Sequence, residues 1–69
     1  MKTAIERAVD IFGSQQALAD ALGVHQTFVS KMVRTGRAPA ERCRQIEEVT
    51  AGRVNRYELR PDVFGERAA

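Results

Sequence analysis

The stretch Gln15-Gln16-Ala17-Leu18-Ala19-Asp20-Ala21-Leu22-Gly23-Val24-His25-Gln26-Thr27-Phe28-Val29-Ser30-Lys31-Met32-Val33-Arg34 decides the fold. Ser14 is suited to cap a helix over Gln15–Leu22, with Ala17, Leu18, Ala21 and Leu22 as its apolar surface. Gly23 stops that helix after about two turns, a length too short to persist without neighbours. A second helix follows from about Gln26 to Arg34 and carries Val29, Met32 and Val33 inward. Two short helices joined by a tight glycine turn are the helix-turn-helix plan. That geometry requires a small residue where the helices cross, which Ala19 supplies. It requires a turn conformation that a side chain would oppose, which Gly23 supplies. Leu18, Leu22, Val24, Val29 and Met32 provide the apolar contacts that lock the pair together. Agreement at all these positions is far more specific than a lone glycine-rich motif.

Gln26, Thr27, Ser30, Lys31 and Arg34 are left on the outer face of the second of these helices, in one stripe. Their chemistry suits the major groove of double-stranded DNA. Glutamine bonds adenine bidentately, lysine or arginine meets guanine O6 and N7, and serine or threonine pairs with several base edges. A solvated polar face would have a similar composition; the packing positions behind the stripe favour base reading.

Outward from this core, Ile5, Ala8, Val9 and Phe12 fall on one face of an N-terminal helix that Gly13 ends. Thr35-Gly36-Arg37 reads as a break. Ala38-Pro39-Ala40-Glu41 opens a fourth helix with Pro39 in its first turn, Cys43, Ile46 and Val49 inward, and Gly52 at its end. Asn55-Arg56-Tyr57-Glu58 has capping-box spacing and predicts a short fifth helix stopping before Pro61. Val63-Phe64 follow as an apolar pair, and residues 65–69 read as a frayed tail. No period-2 stretch is long enough for a strand. The expected fold is all-α: four to five short helices in a single domain over 1–64, with the helix-turn-helix at 15–34.

Composition narrows the function classes. The net charge of +2 is unevenly placed: residues 1–23 sum to −1, residues 24–45 to +4, and residues 46–69 to −1. A basic middle third favours a polyanion, because neutralised phosphates release counterions. One cysteine, Cys43, and one histidine, His25, exclude an internal disulfide and a zinc finger. No cofactor and no metal are expected. Paired catalytic groups and a phosphate-cradling glycine loop are both lacking, so an enzyme is not expected. No apolar run approaches the roughly 20 residues of a bilayer span, and Met1-Lys2-Thr3 lacks signal-peptide character. A reducing cytoplasm, at the bacterial nucleoid, is the expected location.

Leu22-Gly23-Val24-His25-Gln26-Thr27-Phe28-Val29-Ser30-Lys31, continued by Thr35-Gly36-Arg37-Ala38-Pro39, closely resembles the Cro repressors of lambdoid phages. Residues 53–64, from Arg53 to Phe64, look like the YdaS-like group of prophage Cro-type regulators and suspected antitoxins. Together these cover most of the chain, roughly from Gln15 to Phe64. The resemblance implies a lambda-repressor-like domain that represses transcription by binding an operator as a dimer. By the same resemblance, Gln26, Thr27, Ser30 and Lys31 match positions that read bases. Gln15 matches a position that holds a backbone phosphate and supports the recognition helix, and Arg37 a basic position on phosphate. His25 stands where Cro proteins can carry an aromatic residue, and Ser30 is shorter than the asparagine of the best-known Cro.

Other residues admit two readings. Phe28 packs on a neighbouring helix or touches a thymine; packing is the commoner role. His25 could bond a phosphate or be merely solvated. Cys43 reads as a small core residue rather than a redox sensor. Arg42 and Arg44 either contact flanking DNA or pair with Glu41 and Glu48. Tyr57, Leu59, Val63 and Phe64 complete the core, form a dimer contact, or both. The alternative function is an antitoxin that acts mainly by binding a toxin partner, with no membrane association in either case.

Overall fold

Thr3 starts the first helix: its side chain accepts from the Glu6 N–H, and the Glu6 carboxylate accepts from the Thr3 N–H, closing a capping box. The computed structural model describes residues 2–65, all in helices and short connections with no strand among them. The helices are α1 (Ala4–Phe12), α2 (Gln15–Leu22), α3 (Gln26–Thr35), α4 (Ala40–Val49), α5 (Arg56–Leu59) and α6 (Pro61–Phe64). No helix among the described residues is long and apolar enough to cross a membrane. Of the predicted tail, residues 66–69 lie outside the described residues.

α2 and α3 form the helix-turn-helix. Ser14 caps α2 by accepting from the Ala17 N–H, and Gly23 ends it at φ 71° and ψ 31°. A Cβ at Gly23 would meet no atom within 4 Å, so glycine is required there by the left-handed backbone and not by lack of space. Leu18, Ala19 and Val29 are wholly buried, with Leu22 and Met32 nearly so. Ile5 and Ala8 of α1, and Cys43 and Ile46 of α4, close the same core. Val9, Phe12, Val24, Val33 and Val49 pack at its edge. Ala21, expected to face inward, is exposed.

The boundaries differ from expectation mainly after α3. Thr35 belongs to the helix, its hydroxyl donating to the Lys31 carbonyl at 3.0 Å. Pro39 is the residue before α4, with extended ψ of 143°, rather than a member of its first turn. α4 ends at Val49, and the turn that follows is closed by Gly52, whose N–H donates to the Glu47 carbonyl at 2.8 Å and whose φ is 79°. The buried Thr50 hydroxyl donates to the Ile46 carbonyl at 2.8 Å and accepts from the Val54 N–H at 3.2 Å. Ala51 then takes a positive φ of 55°, unusual for a residue with a Cβ. Where the sequence predicts only an apolar pair there is a sixth helix: Pro61 opens a single turn that carries Phe64 against the core and leaves Val63 exposed.

Three polar ties hold this C-terminal segment. Arg7 of α1 donates to Glu58 at 2.6 Å and to the Arg53 carbonyl at 3.1 Å. The Glu47 carboxylate of α4 accepts from the Arg56 guanidinium at 2.8 Å and from the Arg56 N–H at 3.1 Å. Arg60 donates to the Ala38 carbonyl at 3.1 Å, in the connection between α3 and α4. Val54 and Leu59 add buried apolar surface.

Candidate nucleic-acid interface

Val29 and Met32 anchor α3 in the core, so the opposite face is fixed toward solvent. Gln26, Thr27, Lys31 and Arg34 are exposed on that face, and Ser30 is half-buried. Thr27, Ser30, Lys31 and Arg34, with His25 and Phe28, line one open depression of about 590 Å³. His25 occupies the position before α3, exposed, and its ring does not cap the helix. Phe28 packs against the core at the edge of this surface, and the Arg42 guanidinium lies 5.9 Å from its ring centroid.

Gln15, the first residue of α2, reaches across to the stripe. The Ser30 hydroxyl donates to Gln15 Oε1 at 2.6 Å, joining the start of one helix to the middle of the other. Arg37, just past α3, is exposed and borders a second depression of about 250 Å³, shared with Lys31, Thr35 and Arg60. The structure therefore brings Gln15, Gln26, Thr27, Ser30, Lys31 and Arg34 onto or beside one helix face, with His25 and Arg37 at its two ends.

Two features of this surface have no evident signal in the sequence. Gln45 of α4 donates to the Leu22 carbonyl at 2.9 Å, satisfying an acceptor at the turn between α2 and α3. Arg42 donates to the Gln45 side chain at 2.8 Å, so it supports that tie as well as covering Phe28. Neither Arg42 nor Arg44 forms an ion pair with Glu41 or Glu48 among the described residues. Arg60 arrives from the far end of the chain and grips Asp62 through two bonds, at 2.9 and 2.8 Å. That grip, with the Arg37 charge nearby, holds the Asp62 carboxyl down to about 2. Burial pushes the Cys43 thiol up, in keeping with a core residue. No cluster of metal-ligating side chains occurs among the described residues.

Comparison with known proteins agrees with this architecture. The family described as "Bacterial toxin YdaS" matches residues 5–68. The "Putative transcriptional regulator YdaS" of Escherichia coli strain K12 is 42% identical over 59 residues. That match covers 84% of this chain but 60% of the relative, so the chain spans less than two thirds of its length. Among solved structures, the Cro protein "from putative prophage element Xfaso 1 in Xylella fastidiosa strain Ann-1" shares 54% identity with a TM-score of 0.88. The match covers 91% of this chain and 97% of that one. XPH1, "a Hybrid Sequence of Xfaso 1 and Pfl 6, Two Cro Proteins With Different Folds", has the same identity and coverage with a TM-score of 0.65.

Proposed function

The chain belongs to the YdaS family, and from that premise we propose that it is a Cro-like repressor that inserts α3 into the major groove of an operator. The observation that carries this reading is the exposed polar stripe on a helix whose other face is locked into the core. Likeness to a Cro protein and to a named transcriptional regulator supports it. Gln26, Thr27, Ser30, Lys31 and Arg34 read base edges, whereas Gln15, His25 and Arg37 set register on phosphates. Repression follows from occupying DNA that polymerase needs, with no cofactor and no catalysis. Two copies bind together, their α3 helices about 34 Å apart on one face of the duplex. Action in the bacterial cytoplasm, on the nucleoid, is part of the same reading.

The family description as a toxin favours one second reading, in which the chain works mainly through a protein partner of a toxin–antitoxin pair. The exposed Val63, 49% accessible, lies on a surface such a partner could cover. Selecting bound duplexes from a random pool at two salt concentrations separates the two readings. A palindromic consensus is expected for a dimeric repressor. Enrichment of no sequence at either salt would overturn the repressor reading and leave the partner-binding one.

A further inference from the structure

The bond between α2 and α3 limits what α3 can recognise. A serine hydroxyl is ordinarily both donor and acceptor, which lets it pair with almost any base edge. It carries one proton, and in Ser30 that proton is engaged by Gln15 Oε1 at 2.6 Å. What Ser30 still presents toward the open depression it lines is oxygen lone pairs. We propose that Gln15 is a specificity-determining residue: by taking the Ser30 proton it makes Ser30 an acceptor only, so the base facing it must offer an amino group. In the major groove that means adenine N6 or cytosine N4, and not guanine O6 and N7 or thymine O4. The inference rests on the DNA-binding reading above and deepens it by fixing the polarity of one contact.

The same bond turns the Gln15 carboxamide. With Oε1 on Ser30, the two Nε2 protons occupy the other edge of the group, where a phosphate oxygen is their natural acceptor. One side chain thus contributes affinity on every sequence and preference at a single base pair. An acceptor forced against an acceptor leaves both without a partner, so the preference expected at that base pair is about 5- to 150-fold.

The test uses the whole chain and a duplex carrying its selected site, with each base pair replaced in turn. Binding is measured for the wild type, Ser30→Ala, Gln15→Ala and Gln15→Glu, and thermal unfolding confirms that each variant is folded. Ser30→Ala identifies the base pair in question by abolishing the preference there, which in the wild type is for adenine or cytosine. Gln15→Ala frees the hydroxyl to donate as well as accept, so the preference at that pair falls to within about twofold while the others persist. Gln15→Glu retains an acceptor for the Ser30 proton but repels phosphate; it keeps the adenine or cytosine preference and loses affinity on every duplex. A guanine or thymine preference at the Ser30 pair overturns the proposal, as does a preference there that survives Gln15→Ala. If Ser30→Ala changes no base preference, the proposal also falls while the repressor reading stands. A wild type without any preferred sequence overturns the repressor reading itself, and this inference with it.

Discussion

Residues 15–35 and residues 50–65 are both helical, but they are held by different forces. The first region is locked by side chains that are wholly or nearly wholly buried, Leu18, Ala19, Leu22, Val29 and Met32, and no ion pair joins its two helices. The second consists of two single-turn helices, too short to stand alone. Beyond the buried Val54 and Leu59, it is tied by Arg7 to Glu58, Arg56 to Glu47, Arg60 to the Ala38 carbonyl, and the Thr50 hydroxyl, polar bonds that have no counterpart of that number in the first region. Apolar burial is indifferent to pH and direction, whereas these bonds depend on both. The contrast teaches that the DNA-facing frame and its C-terminal brace should fail under different insults.

The largest effect should follow from truncating the frame. Leu18 is 0% exposed, so Leu18→Ala removes buried methyls and leaves a cavity, at a cost of about 2–5 kcal/mol. In a domain this small that is a large share of total stability. The urea midpoint should drop accordingly, and DNA binding with it. The contrasting truncation, Val63→Ala on a side chain 49% exposed, should stay within about 0.5 kcal/mol. Equal losses would mean that α6 is packed as deeply as the frame.

Next in size is Thr50→Val. The substitution preserves shape but removes the acceptor for the Val54 N–H, which is buried with it. A buried donor left without a partner costs about 1–3 kcal/mol. Hydrogen exchange should show the loss concentrated in the amides of residues 53–59. Uniform acceleration across α2 and α3 would show instead that brace and frame unfold as one unit.

Legibility in the sequence follows the same division. The helix-turn-helix is written in local spacing: Ser14, Ala19, Gly23 and the apolar positions all act on residues within a few places of themselves. The outward stripe at 26, 27, 30, 31 and 34 is then fixed by subtraction. The capping box at Asn55 and Glu58 was likewise readable, since both partners sit within one turn. The ties at long separation were not. Arg7 to Glu58, Gln45 to the Leu22 carbonyl, and Arg60 to the Ala38 carbonyl each join residues whose proximity only the fold creates. Gly52 marks the end of α4 as a local signal should: the last helical residue is Val49, and the Gly52 N–H closes the turn on the Glu47 carbonyl.

Acid should then separate the regions. The Arg7 guanidinium holds the Glu58 carboxyl below its ordinary 4.5, and the Arg60 grip holds Asp62 at about 2 instead of 3.8. Both carboxylates are depressed in the folded state. Their contribution is therefore present above the ordinary values and is lost as pH falls through the folded ones. Loosening should begin near pH 4.5 and be complete near pH 2. Because these pairs are exposed, the effect is smaller than that of Leu18→Ala or Thr50→Val. Exchange protection of residues 54–65 should fall across that window ahead of protection in α2 and α3. Simultaneous loss would indicate that the frame also depends on a carboxylate.

The smallest effect lies where the two regions meet. Asp62 is gripped by Arg60, which lines the depression that Lys31, Thr35 and Arg37 border, and it feels the Arg37 charge, so it sets a negative charge against the basic groups of the proposed phosphate contact. Asp62→Asn removes that charge and frees Nε and Nη2 of Arg60 while Nη1 stays on the Ala38 carbonyl, so the freed edge of the guanidinium can meet a phosphate. Binding should tighten slightly on all duplexes, and the dependence of log K on log salt should steepen by about one at most. Base preferences should be unchanged, because no group on the reading stripe is touched. A titration of the variant against selected and random duplexes, over a range of salt, measures both quantities. If the variant bound more weakly, Asp62 would be holding Arg60 in a productive pose. If its base preferences shifted, the C-terminal brace would take part in reading, and the division between frame and brace would no longer describe how the surface works.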